Sequence, residues 1–122
     1  MSDRSIELIR AFGDAWQRGD VDALMGFMTD DCEYRASVGP EPGTRYVGRD
    51  AVRRGIEAML RHDAGSEAVA GAIFACGDRV VSEWSYRFPE DGGRVVEVRG
   101  CDIFHLDGDK IRCKDAYRKC FD

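Results

Sequence analysis

A single carboxylate, Asp102, interrupts an otherwise apolar strand face. Residues between Arg94 and Leu106 alternate with a period of two. One face of this strand carries Val96, Val98, Gly100, Asp102, Phe104 and Leu106. A carboxyl group among such neighbours must be paired, hydrogen-bonded or protonated. Two interpretations stay open: a structural Asp bonded to a helix end or a Tyr hydroxyl, and an Asp in a dry pocket that serves as general acid, base or hydrogen-bond donor.

Three aromatic side chains are predicted to share the interior with Asp102. Trp84 and Tyr86 lie on the apolar face of the strand Val80 to Phe88, and Tyr34 lies on the apolar side of a short strand after Asp31. Aromatic rings with polar tips suit the wall of a ligand cavity. They suit an ordinary core equally well, so both interpretations are kept.

The last strand has two possible inward faces. Ile111, Cys113, Asp115 and Tyr117 alternate with Arg112, Lys114, Ala116 and Arg118. The turn at 107–109 decides which set faces Asp102, because a slip of one residue reverses the face. Either Lys114 or Asp115 becomes the neighbour of Asp102, or both are surface charges. A facing Lys114 would stabilise the carboxylate, whereas apolar neighbours alone would stabilise the neutral acid.

These residues require a scaffold of helices followed by strands. Periods of three and four residues predict helices at Asp3 to Arg18, Val21 to Met28 and Ala51 to Leu60, the last two capped by Asp20 and Asp50. A turn at 29–31, a short strand and a loop rich in Gly and Pro (38–48) lie between the second and third helices. Four strands follow, at Glu67 to Ala75, Val80 to Phe88, Arg94 to Leu106 and Lys110 to Arg118. Their short hairpin connections predict an antiparallel sheet, and the chain is expected to be one α+β domain, 1–122.

Composition excludes several classes of function. The chain has 122 residues, 43% of them hydrophobic, and a net charge of −5, which disfavours nucleic acid and anionic membranes as partners. The N-terminus lacks the apolar run of a signal peptide, so a cytoplasmic location is expected. Five widely spaced cysteines indicate reduced thiols. His62 and His105 lack ligand-spaced partners and no phosphate-binding motif occurs, so neither metal nor nucleotide cofactor is expected.

Three segments of the chain carry a family resemblance. The runs AWQRGDVDALMGFMTDDCEYRASVGPEP, YVGRDAVRRGIEAML and RGCDIFHLDGDKIRCKDAYRK resemble the nuclear transport factor two-like superfamily. Its members include SnoaL-like polyketide cyclases, ketosteroid isomerases and limonene-epoxide hydrolases. The resemblance implies a cone, in which a strongly curved antiparallel sheet wraps around three helices and encloses a pocket. It also implies a homodimer through the outer face of the sheet.

The catalytic sets of these relatives transfer only in part. Asp102 matches the oxyanion-hole Asp of the isomerases, but their oxyanion Tyr falls on Phe12 and their general base falls on Ala36. The Arg and first Asp of the epoxide hydrolases fall near Trp84 and Tyr86. Their second Asp falls on Ala116, and the cyclase base falls at or near the same residue. The resemblance therefore implies the pocket and one carboxylate without the known catalytic sets.

The sequence thus supports three hypotheses about function. In the first, Asp102 acts as acid or base, with Tyr34 or Lys114 helping, in a cofactor-free isomerisation, cyclisation or hydration of a small apolar molecule that carries a carbonyl. The expected substrate-binding residues are Phe12, Trp16, Tyr46, Trp84, Tyr86 and Phe104, together with Tyr34. The second hypothesis is a non-catalytic binding protein of the same shape, and the third is a dimeric accessory domain with a filled interior. The outer-face stripe of Val95, Cys101 and Ile103 supports a homodimer in each case.

Overall fold

The computed structural model describes residues 2–121. The chain begins with helices α1 (Ser2–Arg18) and α2 (Val21–Gly26), then strands β1 (Met28–Arg35) and β2 (Arg45–Val47), and helix α3 (Arg49–His62). Strands β3 (Glu67–Cys76), β4 (Arg79–Pro89), β5 (Val95–Asp107) and β6 (Lys110–Arg118) follow, with one short 3-10 turn at Asp91–Gly93. This order of helices before a strand meander confirms the α+β class. Within residues 2–121 no helix is long and apolar enough to cross a membrane.

The six strands form one curved, unclosed sheet in the order β2-β1-β6-β5-β4-β3. The hairpins β3–β4, β4–β5 and β5–β6 are antiparallel, as the short turns predicted. The expectation of a wholly antiparallel sheet is wrong at one place, because β1 pairs with β6 in parallel. These two strands are far apart in the sequence, so no hairpin turn constrains their direction.

The segment between α2 and α3 differs from the sequence prediction in three ways. Helix α2 ends at Gly26, and β1 starts at Met28, where a turn had been expected at 29–31. The Ile111 amide on β6 donates a hydrogen bond to the Phe27 carbonyl at 2.8 Å. Pairing with β6 therefore begins just before β1 and keeps the polar residues 29–31 in the strand. The predicted Gly- and Pro-rich loop contains the short strand β2, which pairs with β1.

The helix caps follow prediction once and depart from it once. Asp20 caps α2, accepting a hydrogen bond from the Ala23 amide at 3.1 Å. Asp50 does not cap α3, which begins two residues earlier than predicted, with Gly48 as the N-cap residue. The helix is extended there because the Arg49 guanidinium binds the carbonyls of Met25 and Met28 at 3.0 and 2.9 Å.

The helices cover the concave side of the sheet and build the core with it. Helix α1 packs on β3 and β4, and α3 packs on β1 and β2. The fully buried side chains come from both layers and include Ile9, Phe12, Leu24, Tyr34, Val52, Ile56, Val80, Phe104 and Ile111. The side chains that carry the candidate chemistry lie in the same layer, between α1 and the sheet.

Candidate functional site

Asp102 lies on the concave face of β5, as its alternation predicted. Asp102 is 8% exposed, and its neighbours on the same face, Phe104 and Leu106, are also buried. The register pairs Asp102 with Ser82 on β4 and with Ala116 on β6. The carboxylate is therefore central in the sheet, with small residues on both sides.

A β-bulge settles which face of β6 looks inward. The pairing of β5 and β6 shifts between His105 and Leu106, so that Arg112 has no partner residue. The single extra residue changes the alternation, as bulges do. After the bulge, Lys114 pairs with Phe104 and Ala116 pairs with Asp102, which places Lys114, Ala116 and Arg118 on the concave face. Asp115 turns to the convex face, where it binds Arg35 at 3.5 Å and Tyr117 at 3.2 Å.

Lys114 and Asp102 form a buried ion pair. The Lys114 Nζ donates to Asp102 Oδ1 at 3.1 Å, and the two side chains are 6% and 11% exposed. The same ammonium lies 4.5 Å from the Trp16 ring centroid and 4.8 Å from that of Tyr34. Aromatic faces attract a desolvated cation, so Lys114 is held by one carboxylate and two rings.

A second buried ion pair, which the sequence reasoning missed, lies at the same cavity. Arg118 Nη2 donates to both oxygens of Asp63, at 2.9 and 3.2 Å, and the side chains are 9% and 6% exposed. The guanidinium carbon lies 5.4 Å from the Trp84 ring centroid and 5.6 Å from that of Tyr86. Asp63 directly follows α3 and looked like an ordinary turn residue. Because side chains alternate between the two faces of a strand, an inward-facing Lys114 implies that Arg118, four residues later, also faces inward.

These groups line an interior cavity of about 100 Å³ between α1 and the sheet. Asp102, Lys114 and all but one of the aromatic residues expected at the site border it: Phe12, Trp16, Tyr34, Trp84, Tyr86 and Phe104. Tyr46 does not line it. Its ring stacks on Tyr34 at 5.8 Å and lies over Gly55, where a Cβ would come within 2.6 Å of it. Tyr46 thus supports Tyr34 from behind.

Gly100 allows Trp84 to lie flat along the cavity wall. The two residues pair across β4 and β5, and a Cβ on Gly100 would come within 2.5 Å of the indole ring. It would also contact the carbonyl oxygen of Tyr117 on the other side. The absence of a side chain at Gly100 therefore sets the position of Trp84, which packs edge-on against Tyr86 at 5.2 Å.

Both tyrosines at the cavity are held in their neutral form. Burial, reinforced by the charges of Asp102 and Asp63, raises the pKa of Tyr34 far above its usual value. Burial also raises the pKa of Tyr86, against the opposing charge of Lys114. A neutral phenol donates a hydrogen bond and does not accept a proton readily. Tyr34 and Tyr86 are therefore donors at neutral pH, not bases.

The site has more donors than acceptors. Within residues 2–121, Lys114 uses one of its three N–H groups on Asp102, and the hydroxyls of Tyr34 and Tyr86 make no hydrogen bond. Of the two buried carboxylates at the cavity, Asp63 accepts hydrogen bonds at both oxygens, whereas Asp102 Oδ2 accepts none from residues 2–121. No group of three or more His, Cys, Asp or Glu residues in this part is arranged to hold a metal ion. The arrangement can bind an oxygen-bearing molecule and exchange a proton with it at Asp102.

Three solved structures are similar to this chain over most of its length. An NTF2-like protein of unknown function from Mesorhizobium loti is 26% identical, with a TM-score of 0.79 over 98% of this chain and 93% of that one. A Jannaschia protein provisionally described as a SnoaL-like polyketide cyclase is 16% identical, with a TM-score of 0.80 over 97% and 87%. An uncharacterised cystatin-fold protein from Novosphingobium aromaticivorans is 21% identical, with a TM-score of 0.73 over 93% and 97%. The last two identities show a shared fold alone.

Sequence comparison with curated proteins finds no match. The family model described as the SnoaL-like domain matches residues 9–113, which span α1 to the first half of β6 and include Asp102. The match covers most of the chain and agrees with the curved sheet over the N-terminal helices. The chain belongs to the SnoaL-like domain family.

Proposed function

We propose that this protein binds a small, largely apolar molecule carrying a carbonyl group in the cavity and catalyses a proton transfer on it without a cofactor. The observation that carries the proposal is the Asp102–Lys114 pair, which puts a carboxylate and an ammonium 3.1 Å apart at an aromatic-lined cavity. Isomerisation, cyclisation and hydration all begin or end with such a transfer. The description of one structural relative as a polyketide cyclase is in keeping with this reaction class.

The proposed roles follow from what each group can donate or accept. Asp102 Oδ2 takes the proton from the carbon next to the carbonyl, and the electrons of that C–H bond move into the enolate. Lys114 and Tyr34 donate hydrogen bonds to the enolate oxygen, where negative charge develops. Return of the proton from Asp102 to a different carbon gives an isomer. When the enolate carbon instead attacks a second carbonyl, a ring closes and the proton on Asp102 passes to the new alkoxide oxygen.

The apolar walls support this chemistry in two ways. Phe12, Phe104 and Trp16 take up the ring or chain of the substrate through burial of apolar surface. The same walls keep water away from the ion pair, which strengthens the electrostatic interaction with a developing enolate. A site filled with water would lose both the apolar burial of the substrate and the stronger electrostatic interaction.

A non-catalytic binding role is the second candidate. It is favoured by the fact that both buried carboxylates, Asp102 and Asp63, already have a cationic partner. A base that is neutralised in an ion pair is weaker than a free one. A binder of the same class of molecule would need the donors and the aromatic walls but not proton transfer.

Hydrogen–deuterium exchange separates the two candidates without knowledge of the natural substrate. 2-Tetralone, a bicyclic apolar ketone, is incubated with the protein in D2O, and loss of its α-proton signals is followed by NMR. We expect exchange in the presence of wild type to exceed that with Asp102→Asn by about 100-fold or more. Quenching of tryptophan fluorescence measures binding in the same samples, since both tryptophans of the chain line the cavity. Binding without accelerated exchange would support the binding protein and contradict catalysis.

A further inference from the structure

The proton-transfer proposal leaves the Arg118–Asp63 pair unused. Arg118 lies on the concave face of β6, paired with Gly100, and Asp63 follows the last residue of α3. Both side chains are more than nine-tenths buried, and both border the cavity. Burial of two charged groups is costly even when they are paired, so a role in ligand binding is worth testing.

The guanidinium of Arg118 has N–H donors that no group among residues 2–121 accepts. Both oxygens of Asp63 bind Nη2, at 2.9 and 3.2 Å. Nε is buried and has no hydrogen-bond partner among residues 2–121, and Nη1 has none there either. A buried donor without an acceptor is rare in folded proteins and points to a missing partner. That partner must be an acceptor, because guanidinium has no lone pair to offer.

The surroundings of Arg118 favour an anionic oxygen. The rings of Trp84 and Tyr86 lie 5.4 and 5.6 Å from the guanidinium carbon and exclude water from it. Asp63, which could repel a second anion, is already paired with the Arg118 guanidinium, and its Oδ1 also lies 2.9 Å from His62 Nδ1. A carboxylate is a suitable acceptor, because a guanidinium N–H group makes shorter and stronger hydrogen bonds to an ionised oxygen than to a neutral one.

The spacing along β6 determines how far Arg118 lies from the Asp102–Lys114 pair. Lys114 and Arg118 are four residues apart on one face, which separates their Cα atoms by about 13 Å in an extended strand. The residue between them on that face is Ala116, whose small side chain leaves room for a ligand. A single molecule can therefore reach Lys114 with one oxygen and Arg118 with another if an apolar body of one or two rings lies between them.

We propose that Arg118 forms a carboxylate-binding subsite, so that the preferred ligand is an apolar ring-containing acid with its carboxylate on Arg118 and its carbonyl at the Asp102–Lys114 pair. Asp63 acts as a positioning residue that holds the guanidinium in place. This inference rests on the proposed function for the cavity as a ligand site. It adds the chemical class of the ligand and the residue that selects it.

Binding of two matched probes tests the subsite. 2-Naphthoate and 2-naphthamide have the same ring system and nearly the same shape but differ in charge. Their affinities are measured by tryptophan fluorescence for wild type, for the double variant Asp63→Asn/Arg118→Gln, and for Asp102→Asn/Lys114→Met as the matched control. Removing both partners of a pair avoids leaving one buried charge alone, so each double variant is expected to fold.

We expect wild type and the control variant to bind naphthoate at least tenfold more tightly than naphthamide. In the Asp63→Asn/Arg118→Gln variant this preference should disappear, with naphthamide affinity within about twofold of wild type. Equal affinities in wild type would overturn the proposal. So would a preference that survives loss of Arg118, or one that disappears only with Lys114.

The outcomes also separate this inference from the proposed function. A naphthoate preference that depends on Arg118, together with no exchange of 2-tetralone above Asp102→Asn, would overturn catalysis and leave the subsite standing. Accelerated exchange with no preference for naphthoate would do the reverse. Failure of both probes and of 2-tetralone to bind wild type would contradict the cavity as a ligand site and the subsite with it.

Discussion

The buried Lys114–Asp102 pair predicts an asymmetric response to loss of either partner. In Lys114→Met the Asp102 carboxylate stays buried, 3.1 Å from where the ammonium was, and within residues 2–121 it has no second cation within 4.0 Å. Removal of one partner from a buried pair costs about 3–5 kcal/mol. We expect the free energy of unfolding of Lys114→Met to fall by this amount.

Asp102→Asn should cost less, because Lys114 keeps two of its three partners. The ammonium remains 4.5 and 4.8 Å from the ring centroids of Trp16 and Tyr34, and the new amide oxygen can still accept its hydrogen bond. Each such aromatic contact stabilises a cation by about 0.5–2 kcal/mol. We therefore expect a loss of about 1–2 kcal/mol, roughly half of the cost of the Lys114 change. The variant used in the exchange assay should stay folded.

The double variant Asp102→Asn/Lys114→Met should be within about 1 kcal/mol of wild type, since neither position then holds a buried charge without its partner. Urea unfolding at neutral pH measures all four proteins. For a chain of 122 residues the unfolding entropy is about 0.26 kcal/mol/K, so each kcal/mol lowers Tm by about 4 °C. The reasoning is refuted if Lys114→Met loses no more stability than Asp102→Asn, or if the two single costs add in the double variant.

Three further predictions concern other parts of the molecule. Arg45 and Arg35 lower the pKa of Glu33 from 4.5 to about 2, so its stabilisation is complete above pH 4.5 and is lost as the pH falls toward 2. The full pKa shift corresponds to about 3 kcal/mol. Solvent screening reduces this to about 1–2 kcal/mol, because the guanidinium groups of Arg35 and Arg45 are 43% and 65% exposed. Urea unfolding of wild type and Glu33→Gln at pH 3 and pH 6 measures this contribution, and an equal stability difference between the two proteins at both pH values would contradict it. Gly100→Ala should destabilise the fold by about 1–3 kcal/mol through overpacking and shift the emission of Trp84, whereas unchanged emission and Tm would show that the wall can adjust. The outer-face stripe predicts a homodimer, so light scattering at micromolar concentration should give twice the monomer mass of 13.6 kDa, and a monomer mass alone would contradict it.

Much of the site could be read from the sequence because β5 alternates strictly. That pattern placed Asp102 and Phe104 on the concave face, and the structure confirms both positions. The inward face of β6 could not be read, since it depends on one unpaired residue, Arg112, whose bulge leaves no clear signal in composition. The resulting choice between Lys114 and Asp115 decided whether Asp102 has a cationic partner.

The Arg118–Asp63 pair and the parallel β1–β6 contact were missed for a related reason. Both join segments far apart in the chain, 55 residues in the case of the ion pair. Periodicity reports the face of a single element and says nothing about which element lies opposite. Tyr46 was misplaced because an aromatic residue in a Gly-rich loop gives no sign of which side of Tyr34 it will pack on.

In the proposed reaction, Asp102 exchanges a proton with a carbonyl compound bound in the cavity. The most direct measurement is the rate of α-proton exchange of 2-tetralone in D2O, compared between wild type and Asp102→Asn at equal, verified binding. We expect the rate with wild type to be about 100-fold or more above that with the variant. Equal rates for two proteins that both bind the ketone would contradict it.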